Sequence, residues 1–154
     1  MEGLLYSSQS RRALVQDNFS YQNAAAGQEK VSAPPALPHY VLDPKKRLVS
    51  VKFRKKVTAR DIERYAASLR ANSLFDPDFS EIVDLSDVEE LDLQAEEFIR
   101  LADEVDPFSL QAKRAFVVRN TIQHHAARMH KILRTQRNFE IFRSVSEAER
   151  WIGA

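Results

Sequence analysis

The chain contains no cysteine, and only three of its 154 residues are glycine. The first absence removes disulfides, thiolate nucleophiles and thiolate metal sites, and it fits a reducing compartment. With so little glycine there is no glycine-rich phosphate cradle: neither a GxGxxG nor a P-loop stretch occurs, and no nucleophile elbow either. No apolar run approaches the ~18 residues of a membrane span. The opening "MEGLLYSSQSRR" carries an acid where a secretory leader carries basic residues, so no leader is expected. A net charge of +1 gives no overall preference for nucleic acid or membrane. These absences point to a soluble cytoplasmic protein.

Residues 1–37 differ in composition from the rest. They are rich in Ser, Gln, Asn and Ala, end in the proline cluster "SAPPALP", and show no sustained apolar stripe. Such a segment buries too little to offset its ordering entropy, so a flexible tail and linker is expected there, with the folded domain over 38–154.

From His39 onward the pattern alternates between strand and helix. "HYVLDP" and "KKRLVSVKFRK" read as a β-hairpin, with Val49, Val51 and Phe53 on the buried face and Leu48, Ser50, Lys52 and Arg54 on the other. "VTARDIERYAASLRAN" reads as a helix capped by Thr58 with Asp61 three residues on, and Ile62, Tyr65, Ala66 and Leu69 form its inner stripe. "EIVDLS" is a short buried strand. "DLQAEEFIRLADEV" is a helix with Asp92 as its N-cap and Leu93, Phe98, Leu101, Ala102 and Val105 towards its buried side. "AKRAFVVRN" is a strand centred on Phe116, Val117 and Val118. "NTIQHHAARMHKILRT" is a helix capped by Asn120 or Thr121, with Ile122, Ala126, Met129 and Leu133 predicted as its core stripe. "FEIFRS" is the last strand. "SEAERWIG" closes the chain as a helix with a capping box from Ser146 to Glu149 and with Ala148, Trp151 and Ile152 inward. The predicted order is ββαβαβαβα, an α/β fold with a mixed five-stranded sheet, an N-terminal β-hairpin and about four helices.

Three stretches together resemble a known family. "DLSDVEELD" is similar to the strand-to-helix motif of the STAS domain of sulfate transporters and anti-sigma-factor antagonists. "DPDFSEIVDLSDV", "DPFSLQAKRAFVV" and "FEIFRSVSEAERWIG" look more closely like the SpoIIAA-like, or STAS/Sec14-like, family of small bacterial proteins, most of which have no assigned activity. The resemblance covers roughly residues 39–153. It implies a STAS-like (SpoIIAA-like) domain and a non-enzymatic, regulatory role in protein–protein interaction. One feature of the antagonists is missing: where they carry a phosphorylatable serine after the helix-opening aspartate, this chain has Leu93 and Gln94 after Asp92. Neither accepts a phosphate, so the resemblance implies the fold without the phospho-switch.

Charge supplies the remaining signal. Residues 45–60 hold eight basic and no acidic residues, 76–106 hold thirteen acidic and one basic, and 113–143 hold eight basic and one acidic. One reading is mutual neutralisation across the sheet. The other is a pair of partner-binding faces: an acidic one at the strand-to-helix junction (Asp87, Glu89, Glu90, Asp92, Glu96, Glu97) and a basic one (Arg119, His124, Arg128, Lys131). The junction is where the antagonist relatives meet partners. Nucleic acid is not expected, because no aromatics interleave with the basic residues and the acidic block repels phosphate. The partner is expected to be another protein, with the chain itself a monomer or homodimer.

The histidines do not have metal spacing. His124 and His125 are adjacent, and His125 and His130 are five apart, so neither pair clamps an ion from one helix face. His125 is expected to be partly buried. The carboxylates form no recognisable catalytic pair, and no pocket is indicated, so neither an enzyme nor a cofactor is expected. The alternative function is binding of a lipid or other small apolar ligand, with Phe75, Phe79, Phe98, Phe108, Met129 and Trp151 as possible cavity lining. That reading rests on the Sec14-like side of the resemblance.

Overall fold

The computed structural model describes residues 38–153, and the predicted tail at 1–37 lies outside them. β1 (His39–Asp43) and β2 (Leu48–Thr58) pair antiparallel. The turn between them is set by Asp43, whose Oδ1 accepts from the N–H groups of Lys45 (3.0 Å) and Lys46 (3.2 Å). α1 (Ala59–Ala71) follows directly, then β3 (Ser80–Asp92), and then α2 (Ala95–Arg100), which passes into a π-helical turn at Leu101–Val105. β4 (Arg114–Val117), α3 (Thr121–Arg134), β5 (Phe139–Phe142) and α4 (Val145–Ile152) complete the described chain. The five strands lie in sequence order, and every neighbouring pair after the hairpin is parallel. The predicted element order and sheet are those observed.

Both faces of the sheet are covered. Val49, Val51, Phe53, Val83, Leu85, Val88, Phe116 and Val118 face one side, where Tyr65 and Leu69 of α1 and Ala127 of α3 close the larger core. Leu48, Ile82, Ala115 and Val117 alternate to the other side and pack against Ala148 and Ile152 of α4. Leu48 was expected on the hairpin's outer face, but α4 buries it.

The caps follow the sequence at two helices and depart at two. Thr58 caps α1 reciprocally with Asp61, and Asn120 caps α3 reciprocally with Gln123. At α4 the cap is Ser144 with Glu147, two residues before the predicted Ser146, so the helix begins a half-turn earlier. At α2 the cap is Gln94, with its backbone N–H donating to Glu97 at 2.8 Å.

That last difference reshapes the acidic stretch. Asp92 is the final residue of a thirteen-residue strand, not a helix cap. β3 outruns β4, which pairs only Glu81 to Asp84, because β2 continues alongside it. Arg54 lies opposite Asp87, Lys56 opposite Glu90 and Thr58 opposite Asp92, with register shifts on either side of Lys55, whose φ is +56°. A basic strand thus extends an acidic one, and opposite charges across the pair favour continuing the ladder. The bulges bend this extension.

α3 is rotated relative to its apolar pattern. Ile122 is 62% exposed and Met129 45%, whereas Gln123 and Ala127 are buried. The inward face is occupied by polar side chains with fixed partners. Gln123 donates to the Val88 carbonyl at 2.8 Å, satisfying β3 where β4 has already ended, and accepts from the Arg119 N–H at 2.6 Å. Arg134 donates to the carbonyls of Ala102 and Phe108. Buried carbonyls and a buried carboxylate need donors more than the sheet needs another isoleucine. Among the candidate cavity residues, Phe75 packs edge to face on both Phe79 and Phe108, Trp151 of α4 lies against Phe142, and Met129 faces solvent.

Candidate functional site

The parallel register sets four residues in a row across the sheet: Val49, Glu81, Arg114 and Phe139. All four are buried, and Glu81 is only 1% exposed. Two charged side chains therefore occupy core positions on neighbouring strands. Arg114 donates from Nε to Glu81 Oε1 at 2.7 Å, and from a terminal nitrogen to Asp106 Oδ2 at 3.1 Å and Gln136 Oε1 at 3.3 Å. The Tyr65 hydroxyl donates to the other Glu81 oxygen at 2.7 Å. Asp106 sits just past the π-helical turn, where its Oδ1 accepts from the Phe108 N–H at 2.9 Å. Its Oδ2 also meets His130 Nε2 at 2.8 Å and lies 3.5 Å from Arg134 Nε. Gln136 is held in turn by the carbonyls of Leu110 and Ala112, each at 3.0 Å.

The electrostatics follow from this enclosure. Burial alone would raise the Asp106 carboxyl, but Arg114, the hydrogen bond and charge of His130, and Arg134 together hold it well below the usual carboxylate range. Arg114 is likewise pushed above its ordinary value despite burial, by Glu81 and Asp106. Burial, then the Glu81 carboxylate, pushes the Tyr65 phenol up. At neutral pH Asp106 is ionised and Tyr65 protonated.

Above this network lies a cavity of about 100 Å³ between the sheet, α1, α2 and α3. Its walls are mostly apolar: Phe53, Val57, Val83, Leu85 and Phe116 come from the sheet, and Ala66 and Leu101 from the helices. Half-buried residues form the rim, among them Ile62, Leu91, Leu93, Phe98, Val105 and Ala126. Glu81, Arg114, Asp106, Tyr65 and His130 form its polar end. His130 stacks on Phe116 at 5.6 Å between ring centroids. Its Nε2 is engaged by Asp106, and its Nδ1 has no hydrogen-bond partner among the described residues.

The sequence indicated no pocket, and of the six proposed lining residues only Phe98 contributes to this one. A signal was nonetheless present. Glu81 shares strand parity with Val83 and Leu85, and Arg114 shares it with Phe116, so inward-facing charges on adjacent buried strands had to be paired with each other. His130, considered only as a metal ligand, is the half-buried histidine, whereas His125 is exposed.

The residues expected to bind a partner lie elsewhere. Asp87 is ion-paired to Lys52 at 3.0 Å, which draws its carboxyl below the ordinary value, and Asp92 lies 3.6 Å from Lys56. Glu97 closes the α2 cap. Glu89, Glu90 and Glu96 are exposed and make no ion pair among the described residues. Arg119, His124, Arg128 and Lys131 are exposed along α3 and its approach, and they also make no ion pair among the described residues. No helix among the described residues is long and apolar enough to cross a membrane.

No family model and no curated protein sequence matches this chain. Several solved structures are similar in fold, among them the following two. An uncharacterised protein of the DUF3478 family with a SpoIIAA-like fold, from Shewanella loihica PV-4, superposes with a TM-score of 0.56 at 17% identity, covering 79% of this chain and 98% of that one. An anti-sigma factor antagonist from Mycobacterium paratuberculosis superposes with a TM-score of 0.52, also at 17% identity, covering 80% of this chain and 100% of that one. Together with the hairpin-led, sequence-ordered sheet, these likenesses give the chain the SpoIIAA-like fold that its three motif stretches imply.

Proposed function

We propose that this chain is a non-catalytic binding module that takes a small apolar group into the cavity between its sheet and α1, α2 and α3, in a regulatory setting. The supporting observation is an apolar cavity that ends on a network of buried, mutually paired charges. Each oxygen of Glu81 and Asp106 already has a donor, so these carboxylates ask for no polar ligand, His130 Nδ1 offers one polar contact, and the rest of the site rewards apolar contact. The cavity is smaller than the ~150 Å³ that admits a benzene ring. It suits a short aliphatic chain or the tip of a longer one, with a polar end near His130 Nδ1.

Binding is favoured over chemistry because Asp106 stays ionised and Tyr65 protonated near neutrality, which leaves neither as a proton-exchanging acid or base. It is favoured over recognition through the acidic stretch because Asp87 and Asp92 are already paired to Lys52 and Lys56. The regulatory setting rests on likeness of fold to an anti-sigma factor antagonist. A phospho-switch is not part of it: Leu93 and Gln94 carry no hydroxyl, and the Ser86 hydroxyl is engaged by Asp84 at 2.6 Å.

Native mass spectrometry of the freshly purified chain, repeated after denaturation, tests for a copurified small molecule. Melting curves with 1-butanol and butyrate, both short enough for the cavity, test the pocket directly. At least one of these probes should raise the Tm, and Ala126→Phe at the rim should remove the shift while leaving the unliganded melt sharp. No bound mass and no shift from either probe would end this reading.

A further inference from the structure

We infer that the face formed by α3 and the open edge of β5 is a docking site for an acidic, extended segment of a partner protein. This is independent of the pocket and lies on the opposite flank of α3.

β5 is an outer strand of the sheet that the described residues form. The Asn138 and Phe142 carbonyls turn towards β4, accepting from Arg114 and Val118 at 2.8 and 2.9 Å. By the alternation of a strand, the main-chain groups of Phe139 and Ile141 point outward, ready to pair with one more strand. Beside this edge runs a groove of about 500 Å³, with His124, Arg128, Lys131 and Ile132 on its helix side and Phe139 and Ile141 at its strand side. A second hollow of about 300 Å³ continues it, sharing His124 and Ile141 and adding Arg119 and Arg143. Among the described residues, Glu140 is the one acidic residue lining either hollow.

Charge selects the occupant. Lys52 and Lys56 of β2 have carboxylate partners on β3, whereas Arg119, Arg128, Lys131 and Arg143, like Arg54 and Lys55, have none among the described residues; what sets these four apart is that they gather around one groove. A second copy meeting this face symmetrically would set these cations against each other. A carboxylate-bearing strand would meet them and could lay an apolar side chain on Ile132, which is 63% exposed. The concavity and the strand edge favour a peptide over a bilayer, which supplies no directional main-chain bonds. The phenylalanines lining the hollows are buried (Phe139) or half-buried (Phe142), which leaves His124 as the exposed ring among the described lining residues, too little for the stacked platform of a single-stranded nucleic acid.

The experiment is selection of a displayed random-peptide library on the full chain, followed by fluorescence anisotropy of the enriched peptides. Enriched sequences should be net acidic with interspersed apolar residues. They should bind at least about tenfold more weakly to the Arg128→Glu/Lys131→Glu variant, and more weakly as salt rises. The Arg60→Glu/Arg150→Glu variant carries the same charge change at residues that line neither hollow and should bind normally. Hydrogen exchange should slow at Phe139 and Ile141 in the complex. The inference falls if enriched peptides show no acidic bias, if both double variants lose binding equally, or if β5 gains no protection. It also falls if the face binds phosphatidylserine vesicles or a single-stranded oligonucleotide while no acidic peptide binds.

Discussion

Arg114 is the residue on which the buried chemistry turns. It compensates two carboxylates that the sheet and the π-helical turn bring into the core, and its side chain is only 4% exposed. Replacing it with leucine leaves Glu81 buried with only the Tyr65 hydroxyl and Asp106 with only His130, Arg134 and the Phe108 N–H, so Arg114→Leu should cost about 3–5 kcal/mol in urea unfolding. Asp106 gives the network a pH signature. Its folded value is depressed, so its contribution is fully present above the unfolded carboxylate value of about 3.9 and is lost as pH falls below it. The stability gap between the wild type and Asp106→Asn should therefore be wide near neutrality and narrow between about pH 5 and pH 2. A gap constant with pH would mean that Asp106 contributes through shape alone. Thr135 shows a smaller local compromise. It ends α3 in a left-handed conformation (φ +52°), with Thr135 N–H bonded to Ile132 O and Gln136 N–H to Lys131 O, a position that glycine fills without strain.

At the scale of the element, α3 shows how periodicity misleads. Ile122, Ala126, Met129 and Leu133 fall on one stripe, and that stripe was the natural choice for the core. The observed inner face is centred about 100° away, on Gln123, Ala127, His130 and Arg134. The apolar count along the helix could not reveal this, because what draws the polar residues inward are carbonyls and a carboxylate from other elements. The rotation has a measurable consequence. Ile122→Ser should change stability by less than about 0.5 kcal/mol, as for an ordinary surface site. Ala127→Leu, into a fully buried position, should cost about 1–3 kcal/mol by overpacking. The opposite ranking would restore the sequence-based orientation.

For the molecule as a whole, the three charge blocks separate into two kinds. The first two supply β2 and β3, side by side, where Lys52 pairs with Asp84 and Asp87 and Lys56 with Asp92. The third becomes β4, α3 and β5. Its inner members, Arg114 and Arg134, serve the network, and its outer members line the β5 groove. Reversing Glu90, opposite Lys56, to lysine should lower the Tm at low salt, and the deficit should close towards about 1 M salt as the repulsion is screened. A deficit that ignores salt would show that Glu90 acts through packing.

The element order, the mixed sheet, the reciprocal caps at Thr58 and Asn120 and the inner stripe of α1 were legible in the sequence, because each follows from spacing within a few residues. The length of β3 was not, since its second half is strand only because β2 lies beside it with the opposite charge. Nor were the cavity and its floor. Glu81, Arg114, Asp106 and His130 stand on four separate elements, and only the parallel register and the placement of α3 bring them within hydrogen-bonding distance. Local periodicity determined what each segment would be. Which of its faces turned inward was decided by the polar groups that other segments brought to meet it.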